Sequence, residues 1–582
     1  MRSLGKFRAK PFHLVALGAV LTWLLATACG ASAPATPAPT TAGSATVTAR
    51  APTAAAVPNV TPVPTAPSQA AVHPGKVTFL VGGFGNERFT FSVGSGAGNT
   101  YARLLHGFLL TTNEKLELIP GIASAWGLSA DGKTWTFTIR DGLTFHNGQP
   151  ITAADVYYTW LYDFGPDSLN HSTSGKSQSI AKNTAKVEQT GPNTVTLTTK
   201  AADSGLAEVI SEAGADWFGV LPRQEKLFDE ALERAYDKNP IGAGIMKLKR
   251  HVPAASMEFE RFDDYYFQSK NGFPQDRRVR FTSLDLLLIP EEATRVAALR
   301  AKEADIAPIS LATRKQAEAS GSRLVFGPEG FYIGMEFRGA WNADVPFSKK
   351  QVRQAMAYAL DLKVFQDKLF GAEVFVPKGW IFATPSSFGY SPDLDPFPYD
   401  PGKAKQLLSE AGYPGGKGFG KLVINTWIST ATPFLPESAQ LAADMWRKEL
   451  GLDVVVVTGD QAAINKTRNT EGGFRGETRW HDNEARRDGA SIIRSSHGTS
   501  TNGSRAHEDP ALYKLVDETL VVIDPAKKPE AFNKLYKVLR DEQYYIGIGY
   551  VNVPWGVGPR VAQWTPAPLA SYPSGMHTIV LK

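Results

Sequence analysis

The chain has one cysteine in 582 residues, Cys29. No internal disulfide can form, and zinc-finger or iron–sulfur ligation, which needs several spaced thiolates, is excluded. The ten histidines show no metal-ligand spacing, and neither a G-x-S-x-G elbow nor an H-E-x-x-H pair occurs. Lys and Arg number 62 against 57 Asp and Glu, a net charge of +5, yet the basic residues never form a dense run. That excludes a nucleic-acid stripe and a polybasic membrane patch. After the N-terminal region no stretch approaches the roughly 20 apolar residues a membrane span needs. There is no internal repeat. No metal and no cofactor is expected.

What is present begins with a leader. Arg2, Lys6, Arg8 and Lys10 precede a nearly unbroken apolar run from Leu14 to Ala28. Basic residues, a short apolar run and small residues describe a secretory signal peptide. The segment Ala26-Thr27-Ala28-Cys29-Gly30 resembles a bacterial lipobox, with Ala26 where Leu is usual. In signals of that kind, cleavage leaves a lipid-modified cysteine at the new N-terminus. The alternative is a plain signal peptide with an incidental cysteine. From Ala31 to Gly75 the chain is mostly Ala, Pro, Thr, Ser and Val, with the single charge of Arg50. Such a tract buries too little to offset its ordering entropy, and its prolines keep it extended. The expectation is a signal peptide over 1–28 and a tether over 29–75. Lipidated Cys29 would anchor the protein to the cell membrane on its extracytoplasmic side.

The remainder reads as globular, with 43% apolar, 10% aromatic and 20% charged residues overall. About 500 residues exceed one core, so two or three lobes are expected. Strands and capped helices mix, giving an α/β (mixed α+β) class. Lys76–Val81 reads as a strand. Tyr101 to Leu110 reads as a helix running into a strand. Trp135, Phe137 and Ile139 alternate with polar residues. Thr152 and Asp155 resemble a capping box. Gly191-Pro192-Asn193 marks a hairpin. Helices are expected after Pro290, after Ser348 as a cap, after Asp400-Pro401, and over Glu437–Leu450 with Gly451 as the stop. LDVVVVT reads as a buried strand. The glycine-rich VGSGAGN, residues 93–99, reads as a mobile loop.

One motif misleads. Residues 127–134 fit G-x-x-x-x-G-K-[ST] in every position. That pattern binds phosphate only where a helix follows it. Here WTFTIR follows, which is a strand, so Asp131-Gly132 is a turn and no nucleotide is expected.

The stretch LELIPGIASAWGLSADGKTWTFTIRDGLTFHNGQPITAADVYYTW resembles the solute-binding proteins of ABC importers, in extracellular family 5. That group includes oligopeptide-, dipeptide- and nickel-binding members. The resemblance rests on Pro120, Ala123, Trp126, Asp131, Gly132, Phe137, Arg140, Gly142, Phe145, Asn147, Gly148, Thr152, Ala153, Asp155 and Val156. The segments NPIGAGIMKL, IPEEATRVAALRAKEADIA, FSKKQVRQAMAYALD and YDPGKAKQLLSEAGYP follow in the family's order. The resemblance implies a two-lobed periplasmic-binding-protein fold, class II-like, with an extra inserted domain and a ligand cleft between the lobes. Lobe I would take residues 76–107, 233–305 and 549–582. The inserted domain would take 108–232, and lobe II 306–548. It also implies capture of a solute by hinge closure, and delivery to permease subunits that work with a cytoplasmic ATPase. A monomer is expected, with no nucleic-acid partner.

Family members draw ligand contacts from three places. Here these are Phe84, Gly85, Asn86 and Glu87, then Trp427, Ser429 and Thr430, then Arg479, Trp480, His481 and Asp482. Trp380 joins them as a third aromatic wall. Peptide-binding members resemble W-x-x-D-y-x-D-P in the last segment, where an acid meets the peptide amine. This chain has Gly489 in place of the Pro, and Arg486 and Arg487 intrude. The acid would face a ligand ammonium, or the arginines would neutralise it. A short peptide is the implied ligand. An oligosaccharide or another polar organic solute stands behind it. A reading of another class is an exported hydrolase using His481 and Asp482, and a third is a sensory or chaperone-like role.

Overall fold

Alternating apolar residues place one face of each strand in a core. The computed structural model describes residues 75–90, 98–165, 180–214, 218–337, 339–340, 342–429, 432, 434–461, 463–464, 477–489, 493 and 509–582. The segment expected to be a signal peptide, the expected tether with Cys29 up to residue 74, Thr430 and residues 93–97 of the glycine-rich loop lie outside these.

One sheet of eleven strands forms the frame. Its order runs Asp453–Thr458, Lys421–Thr426, Glu477–Glu484, Arg323–Phe337, Tyr545–Val557, Ile306–Pro308, Lys76–Val81, Ser283–Leu288, Ser256–Arg261, Met246–Val252. Phe375–Val376 adds a short side pairing to Tyr545–Val557. The 15-residue strand Arg323–Phe337 and the 13-residue strand Tyr545–Val557 are antiparallel neighbours at the centre. Their register shifts twice, between Gly327 and Phe331 and between Ile333 and Gly334, and such bulges sharpen local twist. Lys421–Thr426 is parallel to both of its neighbours.

A separate four-stranded antiparallel sheet joins Ala123–Leu128, Thr134–Ile139, Thr194–Thr199 and Thr184–Gly191. Trp135, Phe137 and Ile139 are all buried, as their alternation predicts, and Phe137 meets Trp160 edge-on at 5.3 Å. Trp160 lies on the helix Ala153–Phe164, whose capping box pairs Thr152 with Asp155. The phosphate-loop look-alike is the hairpin turn of this sheet, with Gly132 at φ 71° and its N–H donating to the Ser129 carbonyl. A third apolar cluster gathers Trp380, Phe382, Leu535, Tyr536 and Tyr545.

Three expectations need correction. LDVVVVT is an edge strand, not a buried one. Val454 is buried under the helix Leu435–Leu450, while Val455 and Val457 are 36% and 43% exposed, because only one face of the sheet is covered there. Ser348 belongs to a short 3-10 turn, and Lys349 is the residue that caps the helix Lys350–Tyr358. Trp480, expected as a cleft contact, lies mid-strand. The caps at Asp400 and Gly451 hold. Asp400 accepts from the Lys403 N–H ahead of Pro401–Glu410, a cap worth about 1 kcal/mol. Gly451 closes Leu435–Leu450 at φ 69°, where a residue with a Cβ would be strained.

Candidate functional site

The strand Glu477–Glu484 lies between Lys421–Thr426 and Arg323–Phe337, so the carboxyl ends of two parallel strands open side by side. Ligands of α/β sheets bind beyond such ends. Successive side chains of Glu477–Glu484 alternate between faces. Trp480, Asp482 and Glu484 share one face, and Arg479, His481 and Asn483 the other.

On the second face Arg479 donates to Glu336 at 2.9 Å, with both side chains buried. The Arg479 guanidinium lies over the Trp427 ring, 5.6 Å from its centre. Asn425 Nδ2 donates to Glu477 Oε2 at 2.9 Å. Trp427 is therefore a buried platform under a cation, at the start of the loop leading to the helix Leu435–Leu450. Ile428, which follows it, is 80% exposed.

On the first face Ser429 Oγ donates to Asp482 Oδ2 at 2.7 Å, and the Thr432 N–H donates to Ser429 Oγ at 3.1 Å. Burial pushes the Asp482 carboxyl above its ordinary value, while the hydroxyls of Thr432 and Ser429 and the charge of Arg479 oppose the shift. A hydrogen-bonded carboxylate at a strand end can receive an ammonium group in a charge-assisted contact. Two residues on, Glu484 Oε1 accepts from Ser571 Oγ at 2.7 Å and from Asn99 Nδ2 at 3.5 Å, and Arg486 donates to Oε2 at 3.1 Å. Glu484 thus ties the strand to the helix Asn99–Leu105 and to the C-terminal segment. Arg103 of that helix lies over the Tyr572 ring at 4.5 Å.

The structure brings Ser429 to Asp482 and Trp427 to Arg479, and it places the other expected residues elsewhere. Trp480 is fully buried: its indole N–H donates to Ser438 Oγ at 2.9 Å, and its ring stacks on Phe365 at 6.3 Å. Trp380 belongs to the third apolar cluster, edge-on to Phe382 and Tyr545. Phe84 is buried against Tyr101. Gly85 and Asn86 are exposed. The Glu87 carboxylate is taken by His251 at 2.6 Å and by the Ala254 N–H at 2.9 Å. Arg88 beside it pairs with Glu233 and Asp237.

His481 is buried and edge-on to Tyr332, with Nδ1 3.2 Å from the Asp482 carbonyl oxygen. Adjacent strand residues point to opposite faces, so the imidazole and the Asp482 carboxylate do not pair, and the hydrolase arrangement falls away. Asn99 and Ser571 are the groups that the sequence reading missed: no local pattern links them to each other or to Glu484, which stands in the marked segment two residues past Asp482. Gly489 has a structural reason: its N–H donates to Tyr536 Oη at 3.1 Å, and an added Cβ would sit 2.5 Å from the Phe382 carbonyl oxygen. Proline there would lose that donor.

Residues 117–500 match the family model for bacterial extracellular solute-binding proteins, family 5 Middle. Heme-binding protein A of Haemophilus influenzae is 23% identical over 479 residues, covering 78% of this chain and 82% of that protein. The dipeptide-binding protein of Escherichia coli is 25% identical over 406 residues, covering 65% and 69%. A glutathione-binding protein of Salmonella paratyphi A is 28% identical over 442 residues, covering 72% and 77%. Among solved structures, the oligopeptide-binding protein AppA of Bacillus subtilis, in complex with a nonapeptide, superposes with a TM-score of 0.70 at 19% identity, covering 88% of this chain and 99% of that one. The substrate-binding protein CtaP of Listeria monocytogenes gives 0.71 at 20%, covering 87% and 99%. These likenesses show a two-lobed periplasmic-binding fold.

Proposed function

The chain belongs to the family 5 extracellular solute-binding proteins of ABC importers, which bind and do not catalyse, and from that premise we propose that it captures short peptides and hands them to a membrane permease. The observation that carries the ligand class is the Asp482 carboxylate, held by Ser429 at the open ends of two parallel strands. It is set to meet a peptide ammonium. The dipeptide- and glutathione-binding relatives support a peptide-like ligand. Exposed Ile428, next to Ser429 in the chain, would meet the next part of the ligand, while Trp427 supports that loop from the opposite face, under Arg479. Glu484 with Asn99 and Ser571 would border the cleft from the other side.

In this reading lobe I comprises residues near 76–107, 233–305 and 549–582, the inserted domain 108–232, and lobe II 306–548. The two central long strands carry the hinge, and closure on ligand is selected by differential affinity for the closed state. The monomeric protein is exported. Lipidated Cys29 anchors it, and the Pro-rich tether holds the lobes off the membrane, within reach of the permease and its ATPase. Among the described residues no helix is long and apolar enough to cross a membrane.

The test is calorimetric titration with tri- to pentapeptides, their N-acetylated forms and oligosaccharides. Free-amine peptides bind, acetylation weakens them, and Asp482→Asn removes the difference. Binding indifferent to acetylation, or restricted to sugars, overturns the peptide assignment.

A further inference from the structure

Away from Asp482, the segment Ser204–Glu208 of the expected inserted domain meets two elements from the expected second lobe. The Ser204 N–H donates to the Leu520 carbonyl at 2.7 Å, and Lys528 Nζ donates to the Ser204 carbonyl at 2.9 Å. Arg487 donates to the Leu116 carbonyl and lies over the Phe388 ring at 4.2 Å. The Asp488 carboxylate rests on Gly205, where an added Cβ would stand 2.5 Å from Oδ2.

Glu208 lies inside this contact. Its Oε1 reaches Arg487 Nη1 only at 3.5 Å, and its Oε2 is buried without a hydrogen-bond partner among the described residues. A charged carboxylate so placed is poorly compensated. The charged groups acting on it are Arg487 and Lys528, which favour its ionised form, and Asp488, which opposes it. Arg487 is shared with the Leu116 carbonyl and Lys528 with the Ser204 carbonyl, so neither cation is Glu208's alone. Tyr536, beyond Asp488, gives its hydroxyl to the Gly489 N–H as acceptor.

We propose that closing the inserted domain onto the second lobe is coupled to uptake of one proton by Glu208, so that mildly acidic surroundings favour the closed, ligand-retaining form. The inference rests on the lobe movement proposed above. When the lobes part, Glu208 regains water and its ordinary affinity for a proton. When they meet, burial, with Asp488 beside it, pushes the carboxyl up to about 7. An acid whose value is higher in the closed form favours closure at low pH. That advantage is lost as pH rises through the closed-form value.

The test is single-molecule energy transfer between dyes at Lys200→Cys and Lys527→Cys, in the full mature chain carrying Cys29→Ser. Both positions are exposed and flank the contact. Without ligand, the closed-to-open ratio of the parent should rise about tenfold from pH 8 to pH 6. In Glu208→Gln it should be high at both pH values, and Glu208→Asp, which keeps a carboxyl, should still titrate. A parent ratio flat in pH, or a Glu208→Gln ratio that still titrates, overturns the proton coupling alone. A single separation at every pH, unchanged by a mixture of tri- to pentapeptides, overturns the hinge reading and this inference with it.

Discussion

Glu336 and Arg479 stand opposite each other on antiparallel strands and join at 2.9 Å with both side chains sealed from water. Removing one partner leaves a buried, uncompensated charge. Glu336→Gln or Arg479→Met should each cost about 3–5 kcal/mol in urea unfolding, while the double variant Glu336→Leu/Arg479→Met should recover most of that loss. A double-variant loss equal to the sum of the two single losses would show that the pair itself contributes little.

Asp482 gives a pH signature. Its carboxyl is held above the ordinary 3.8 by burial, so the folded protein binds that proton more tightly than the unfolded chain. This group's contribution to stability is greatest below the unfolded value and falls as pH rises from there to the folded value. Asp482→Asn should abolish that fall. Ser429→Ala removes a bond that favours the ionised form, so it should carry the fall to higher pH. Melting temperatures between pH 3 and pH 7, set against the parent, read both effects.

Trp480 should behave as a core residue. Trp480→Ala empties the space between Phe365, Trp446 and Ser438, at a cost of about 3–5 kcal/mol. Trp480→Phe should lose less, and Ser438→Ala about 1 kcal/mol. Denaturant midpoints check the order. A Trp480→Ala protein as stable as the parent would place the indole on an open wall after all.

Gly489 tolerates no side chain. Alanine there drives its methyl against the Phe382 carbonyl oxygen and should destabilise by about 1–3 kcal/mol. Proline adds the loss of the N–H given to Tyr536 and should cost more. Thermal unfolding of the two variants settles their order.

Cys29→Ser should move the protein from the membrane to the soluble fraction in cell fractionation, while calorimetric affinity for a binding peptide stays at the parent value. Retention at the membrane would remove the lipid anchor from the proposal.

Much of the local architecture is legible in the chain, because caps, turns and alternation act over a few residues. Thr152 with Asp155, Asp400 with Pro401, and the Asp131-Gly132 turn are all of that kind. The helix after the first strand begins earlier than expected, at Asn99, and LDVVVVT is less buried than its letters suggest, since what covers a strand is decided by its neighbours. The site is harder. Ser429 and Asp482 come from segments that the family resemblance marks, whereas Asn99 and Ser571 meet Glu484 only through long-range folding. The tryptophans show the limit most clearly. A large aromatic near a strand end can wall a cleft or fill a core, and only packing separates Trp427, under Arg479, from Trp480, inside the sheet's apolar side.

The strand Tyr545–Val557 pairs with Ile306–Pro308, Arg323–Phe337 and Phe375–Val376, so the centre of the frame is completed by a strand far downstream of every partner it joins. Until that strand emerges from the ribosome, the middle of the protein has an open edge and no finished core. A chain in this condition is slow to fold, and it stays open to any step that needs an extended polymer until that strand arrives.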